Sequence, residues 1–264
     1  MTPQTIEFAT PTDQGLTSTP WASQKQSSYQ DLILQAGYAA RRYKFPPGAT
    51  WFRILPPLRT SAHGWMLGLH VLNYPQGRHI HPKTLNPGAK SVYDLAYGWY
   101  KENRPLDLFS KANKLGFRLL SDPVCIFWIL VEVDGKTEAR IVLASGYDGS
   151  RGGAPGLGHQ ILKATEERDE NGQLVANPVD PMSGVQICIE RTQPSGSKYP
   201  SYALRIGRTP APMSEFISRM DQAEIAAIKP LEEVVHVPTE DEEWKLLEYV
   251  IEPATVAKIR ASQQ

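Results

Sequence analysis

The chain has 264 residues, of which 41% are hydrophobic and six are tryptophan. This composition is typical of a globular protein with a sizeable core and excludes a largely disordered chain. There is no run of about 18 apolar residues, so the sequence predicts no membrane span, and the first ten residues lack the pattern of a secretory signal. The two cysteines, Cys125 and Cys188, require no disulfide framework, and we expect a cytoplasmic protein.

The net charge is zero, but the charges are unevenly distributed along the chain. Residues 1–120 contain 14 Lys and Arg against 6 Asp and Glu, a net charge of +8. Residues 121–210 contain 9 against 11, and residues 211–264 contain 5 against 11, a net charge of −6. A basic first half indicates a polyanion-binding site, and an acidic end indicates a segment that competes for that site or recruits partner proteins. Ordinary scatter of surface charge is the alternative.

The predicted elements begin after a polar segment. Residues 1–28 are rich in Thr, Ser, Gln and Pro, which predicts a mobile arm. Alternating apolar residues predict strands at residues 50–55 and 65–72, and helical spacing follows from about residue 91. We therefore expect a helical insertion, at about residues 75–120, between the strands of a β domain.

The next segments predict two hairpins with one helix between them. Asp134 and Gly135 separate two dense apolar runs, which is a strong hairpin signal. In chain order we expect strands at 125–133 and 139–144, a glycine-rich loop at 146–158, a helix at 159–167 and a hairpin of 184–192 with 202–208. This order predicts an α+β domain at residues 29–210 with a mainly β core, compatible with the five-stranded Greek-key barrel of an OB-fold. The pattern alone does not separate an OB-fold from other small barrels.

The remaining residues, 211–264, predict a helical, acidic C-terminal tail. Ser214 can cap a helix that reaches Ile228, and Thr239 with Glu242 forms a capping box ahead of a second helix. The tail either competes with a polyanion ligand or packs on the barrel through four apolar residues. Those residues are Phe216, Ile225, Trp244 and Leu247.

Three segments, in this order and at this spacing, resemble a known family. T-W-F-R-I-L-P at residues 50–56 is similar to the first OB strand of tailed-phage helix-destabilising single-stranded DNA-binding proteins. G-H-Q-I at 158–161 lies where that family has its barrel helix, and D-P-M-S-G-V-Q-I at 180–187 looks like the entry into its last hairpin. The resemblance implies an OB-fold protein that coats single-stranded DNA in bacteriophage DNA replication, recombination or repair, in the cytoplasm of the bacterial host.

The resemblance fails at one point, the structural zinc that many members of the family bind in this insertion. The present chain has no Cys-x-x-Cys pair there and offers only His63, His70, His79 and His81. Tetrahedral zinc sites typically include such a pair, so we carry over no metal site and expect no cofactor. His79 and His81 lie on one side of a strand and could hold a metal ion, but we favour two surface or phosphate-facing histidines.

Binding of single strands without sequence preference requires cations for the phosphates and exposed rings for the bases. The basic half of the chain interleaves both, and the glycine-rich loop adds one of each. At least one of Trp51 and Phe52, and one of Phe127 and Trp128, is expected in the core. The predicted DNA-binding residues are Arg53, Arg59, Trp65, His70, Tyr74, Arg78, His79, Lys83, Tyr97, Trp99, Lys101, Lys111, Lys114, Arg118, Tyr147 and Arg151.

No motif in the sequence indicates a catalytic site, so we expect no enzyme. The glycine-rich loop lacks the Gly-Lys-Ser/Thr ending of a nucleotide-binding P-loop, and there is no Gly-x-Ser-x-Gly nucleophile motif. Two other functions remain open. One is a protein–protein adaptor on a small β-barrel, and the less favoured one is a metal-dependent nuclease.

Overall fold

The fold is given by a computed structural model. The residues that it describes are 30–110, 115–150, 154–172, 174–175, 177–196 and 200–263. They divide into two compact units. The first unit contains residues 40–68 and 124–234, and the second contains residues 30–39, 69–123 and 235–263. The predicted arm at residues 1–28 lies outside the described residues.

Every strand predicted from the sequence is present, with shifts of a few residues at the ends. In chain order the strands of the described residues are β1 (Gln30–Asp31), β2 (Arg42–Tyr43), β3 (Gly48–Ile54), β4 (Met66–Tyr74), β5 (Gly77–Ile80), β6 (Asp122–Val133), β7 (Lys136–Ser145), β8 (Val185–Thr192) and β9 (Ser201–Pro210). Strands and helices occur in runs along the chain, and the fold class is α+β, as predicted.

The helices of the described residues are short. The longest of them is the first helix of the predicted insertion. In chain order they are α1 (Ala36–Ala39), α2 (Val92–Asn103), α3 (Pro105–Phe109), α4 (Leu115–Leu119), α5 (Leu157–Glu166), α6 (Met213–Ile217), α7 (Gln222–Ala226), α8 (Leu231–Val234), α9 (Glu240–Leu247) and α10 (Pro253–Ala261).

The first unit is built on antiparallel pairing around β3. Strand β3 lies between β6 and β8, β7 pairs with β6, and β9 pairs with β8. The short strand β2 runs parallel to β7. The β6–β7 turn has positive φ angles at Asp134 (50°) and Gly135 (78°), the conformation that a two-residue hairpin of type I′ requires. The order across the first unit is therefore β2-β7-β6-β3-β8-β9.

One face of these strands forms the core of the first unit. Phe52, Phe127 and Ile187 are fully buried in one cluster, which α5 completes with Leu157 and Ile161. Alternate strand residues point to the same face, so a period of two places such side chains together. Strand β6 is densely apolar because both of its faces are buried. On the face opposite to Phe127, Trp128 is only 3% exposed.

The closed barrel expected from the sequence is not confirmed. Within the described residues, β9 pairs only with β8 and β2 pairs only with β7, so the sheet of the first unit stays open. Helix α5 contacts both β7 and β9. It therefore lies where the pairing that closes a barrel would have to form.

Residues 211–234 pack onto the first unit. The predicted helix from Ser214 to Ile228 is wrong in its length, because the chain turns after α6 and starts again as α7. After this break, the carboxylate of Glu224 accepts hydrogen bonds from Arg41 at 2.8 and 3.0 Å and from the backbone N–H of Ala139 at 3.2 Å. The Nε1–H of Trp128 donates to the carbonyl of Lys229 at 2.9 Å.

The second unit combines a small sheet with helices. Strand β5 pairs with β4 and, in parallel, with β1. Ser91 caps α2 by accepting a hydrogen bond from the N–H of Tyr93, and the predicted capping box of Thr239 and Glu242 is present at α9. The core of this unit contains residues of β4 and α2 together with Trp244 and others from α9 and α10.

Among the described residues, no helix is both long enough and apolar enough to cross a membrane.

Candidate nucleic-acid interface

Arg53 lies on β3 and is fully buried. Its Nε donates to the carbonyl of Ala211 at 2.8 Å, and its two terminal nitrogens donate to the carbonyls of Pro178 and Asp180. Burial lowers the pKa of Arg53, and the carboxylate of Asp180 offsets part of this effect. A guanidinium held in this way joins two segments of the first unit and does not reach a phosphate in solvent.

These contacts connect two of the segments that carry the family resemblance. Arg53 belongs to the first segment, and the loop that it holds begins the segment at residues 180–187. In that loop Asp180 Oδ1 accepts hydrogen bonds from the N–H groups of Met182 and Ser183 at 2.8 and 2.6 Å. A Cβ at Gly184 would lie 2.2 Å from Arg53 Nη2 and 2.3 Å from the carbonyl oxygen of Asp180. Glycine is therefore required where the loop meets β3.

Two predicted binding residues of the second unit, Tyr74 and His79, lie in its interior. Tyr74 is 2% and His79 is 3% exposed, and their ring centroids are 5.6 Å apart. Tyr74 also packs edge-on against the buried ring of Tyr93 at 5.9 Å. Burial raises the pKa of both tyrosines. These rings stabilise the core and are not open to a base.

The two histidines considered as metal ligands are buried, which contradicts the surface positions that we favoured. The Nδ1 of His81 accepts the N–H of Lys83 at 3.2 Å, and its Nε2 lies 3.7 Å from Asp94. Burial lowers the pKa of His81, and Asp94 acts in the opposite direction. Within the described part of the chain, no group of three or more His, Cys, Asp or Glu side chains could hold a metal ion.

The other predicted rings are only partly covered. In the first unit Trp65 packs edge-on against Phe127, with ring centroids 5.9 Å apart, and Tyr147 is also partly buried. In the second unit Tyr97 and Trp99 pack against the core but retain partial exposure. All four rings are therefore only partly exposed, and Trp65, Tyr97 and Trp99 also contribute to the packing of their units.

The predicted cations are accessible to different degrees. Arg59 of the first unit and His70 and Lys101 of the second are exposed. Arg78, Lys83 and Arg118 of the second unit are partly exposed, and Lys83 Nζ lies 2.7 Å from Asp94. Three predicted cations lie outside the described residues, namely Lys111, Lys114 and Arg151. The predicted residues are thus divided between the two units, and neither unit contains all of them.

One exposed ring, Trp51 on β3, was missing from the predicted binding residues. It is 46% exposed, whereas its neighbours Thr50 and Phe52 are buried. It is paired in register with Cys188 of β8, and Cys188 is paired with Arg205 of β9. The sequence could have predicted this position. Side chains alternate along a strand, so if Phe52 faces the core, Trp51 must face the other way.

Comparison with models of known protein families gives no match to this chain. A search of curated proteins also gives no match.

Proposed function

We propose that the protein binds single-stranded DNA without sequence preference, on a barrel of the OB type, and protects exposed strands in phage DNA replication, recombination or repair. The pairing order of the first unit supports the OB assignment. If β3, β6, β7, β8 and β9 are numbered 1 to 5 in chain order, their order across the sheet is 3-2-1-4-5. Helix α5 lies in the chain between the third and the fourth of these strands. An OB-fold is a five-stranded and partly open Greek-key barrel, so an open sheet is compatible with it.

The observation that carries the proposal is the charge of one connection. OB-folds bind oligonucleotides through the loop between their first two strands, together with nearby strands and the loop between the last two. Here the connection from β3 to β6, residues 55–121, contains nine Lys and Arg against three Asp and Glu. Its net charge of +6 lies in the connection that corresponds in chain order to the oligonucleotide-binding loop of OB-folds. Cations neutralise phosphates whatever the base sequence is.

Binding to a labelled oligo-dT of about 30 nucleotides, followed by fluorescence anisotropy, tests the proposal. We expect binding at low salt that weakens linearly in log Kd against log salt concentration, and weaker binding to a duplex of the same length. Failure to bind, or equal affinity for the duplex, would overturn the proposal. Tighter binding to oligo-U than to oligo-dT would move the assignment from DNA to RNA.

The same mixture tests for nuclease activity. We propose no catalytic role, so a labelled strand should stay intact after incubation with magnesium or manganese. Shortened products that disappear on chelation of the metal would replace the binding proposal with the nuclease.

A protein–protein adaptor is the second candidate, and one observation in the second unit favours it. Leu106 and Phe109 of α3 are 87% and 68% exposed. They are three positions apart on one helix, so they lie on the same side. An adaptor would bind its partner protein with an affinity that salt does not weaken, and it would not bind oligo-dT. The substitutions Leu106→Ser and Phe109→Ser would abolish binding of the partner.

A further inference from the structure

The outer face of β3, β8 and β9 carries a half-exposed aromatic ring, that of Trp51. Trp51, Cys188 and Arg205 lie side by side in register across the three strands. Cys188 is fully buried, whereas Trp51 is 46% exposed. Trp51 is therefore half-exposed on this face, next to a position that is fully buried.

A glycine of β9 borders this ring. A Cβ at Gly207 would lie 3.6 Å from Trp51 Cζ3, which places the backbone of β9 beside the indole edge. With no side chain at position 207, nothing from that residue projects over the ring. The backbone of β9 thus lies beside the indole, and a flat ligand can approach the part of the ring that is open to solvent.

The cation on this face is held loosely. Arg205 Nη2 lies 2.9 Å from Glu190 Oε2, and the two side chains are 56% and 43% exposed. Exposed ion pairs of this kind contribute little free energy because water screens them. A phosphate can therefore take the guanidinium from Glu190 at small cost and form a charge-assisted hydrogen bond with it.

We infer that the outer face of β3, β8 and β9 is a nucleotide site, in which the indole of Trp51 stacks on a base and Arg205 contacts the adjoining phosphate. The inference rests on the proposed binding of single-stranded DNA and adds a stacking site that the predicted residues lack. Tryptophan binds every base through the same π surface, so a site of this kind is tolerant of sequence. It also requires an unpaired base, which favours single strands over duplex.

Trp51→Leu removes the ring and retains an apolar side chain at this position. We expect its affinity for oligo-dT to fall by about 5- to 150-fold, the loss that corresponds to removing one base-stacking ring. Trp51→Phe should lose less, because a smaller ring remains. Trp244→Phe is the matched control: Trp244 is 5% exposed in the second unit, and its loss should leave the affinity unchanged.

An abasic strand of equal length separates stacking from charge. The wild type should bind oligo-dT more tightly than the abasic strand, and Trp51→Leu should lose most of that preference. Quenching of tryptophan fluorescence by oligo-dT should decrease in Trp51→Phe but persist in Trp244→Phe. This measurement does not use Trp51→Leu, so it tests the site even if that variant folds poorly. Arg205→Gln should reduce the slope of log Kd against log salt by about one.

The results distinguish this inference from the proposed function. If the wild type does not bind oligo-dT, both are overturned together. If the wild type binds, but Trp51→Leu and Trp51→Phe bind equally well with unchanged quenching, the site is wrong and the function stands. Binding with a normal preference for oligo-dT over the abasic strand in Trp51→Leu overturns the site in the same way.

Discussion

Trp51 and Arg53 are two positions apart on β3, and their side chains leave the strand on the same side. Trp51 is open to solvent, while Arg53 is covered by the loop that begins at residue 177 and by Ala211. The type of side chain therefore does not decide its role here. Arginine, which we predicted to bind phosphate, binds carbonyl groups instead, because the loop supplies acceptors that compensate for the loss of water.

A second residue with an unusual environment is Glu243, on α9 of the second unit. It is 3% exposed, and its Oε2 accepts hydrogen bonds from the N–H of Val92 at 2.9 Å and from Ser91 Oγ at 3.1 Å. Burial raises its pKa to about 7, the hydrogen bonds act against this effect, and the charges of Glu240 and Asp94 add to it. Below about pH 7 the folded protein therefore holds Glu243 mainly in its protonated form.

This pKa predicts how Glu243→Gln changes stability with pH. A carboxyl with a raised pKa contributes stability that is complete below about pH 4.5 and is lost as the pH rises through about 7. The amide retains an oxygen that can accept the same hydrogen bonds but has no charge to bury. We expect Glu243→Gln to gain stability relative to the wild type as the pH increases from 5.5 to 8, measured by urea unfolding at several pH values.

Glu248→Gln is the control for this comparison, since Glu248 is exposed on the same stretch of chain. Its stability difference from the wild type should stay constant across the pH range. Parallel pH profiles for the wild type and Glu243→Gln would contradict the predicted cost of burying the charge.

At the scale of elements, Arg53 joins β3 to the chain on both sides of the last hairpin. Pro178 and Asp180 precede β8, and Ala211 follows β9. Arg53→Met would leave the carbonyls of Pro178 and Ala211 without this donor inside the folded unit. Within the described residues, the carbonyl of Asp180 would keep only the N–H of Gly184, at 3.1 Å. We expect the substitution to lower the free energy of unfolding by about 2–4 kcal/mol, measured by urea unfolding.

Arg59→Met provides the comparison, because Arg59 is exposed in the same unit. A surface substitution of this kind should change the free energy of unfolding by no more than about 0.5 kcal/mol. Equal small effects for Arg53→Met and Arg59→Met would show that the contacts of Arg53 contribute little to stability.

Local patterns predicted the strands well because their signals are short in range. Alternation and the Asp134–Gly135 turn define the β6–β7 hairpin, and the Thr239–Glu242 pair marks the start of α9. The binding surface depends on long-range packing, which such patterns do not contain. Tyr74 was predicted to bind DNA. It is buried instead, because α2 and the distant segment that includes Trp244 complete a second core around it.

At the scale of the whole molecule, the acidic tail is distributed over both units. Residues 211–234 belong to the first and residues 235–263 to the second. Phe216 is buried and Ile225 is partly buried, whereas Trp244 and Leu247 lie in the core of the second unit and do not pack on the predicted barrel. Deleting the tail would therefore remove core residues. Its electrostatic role is better tested by removing charge from exposed positions.

Three exposed acidic residues of the second unit, Asp241, Glu248 and Glu252, suit this test. If their charges compete with DNA for the basic residues, substituting them with Asn, Gln and Gln should tighten binding to oligo-dT several-fold in dilute buffer. The gain should shrink at about 0.15 M salt, where the Debye length is about 8 Å. Anisotropy titrations at the two salt concentrations measure both effects.

A change in net charge alone would also strengthen binding to a polyanion, so the control removes as many charges elsewhere. Glu166, Glu167 and Glu170 are exposed in the first unit, and their substitution with Gln matches the change of three charges. A specific competition predicts a larger gain for the C-terminal variant. Equal gains would indicate a general effect of net charge, and no gain for the C-terminal variant would overturn the competition.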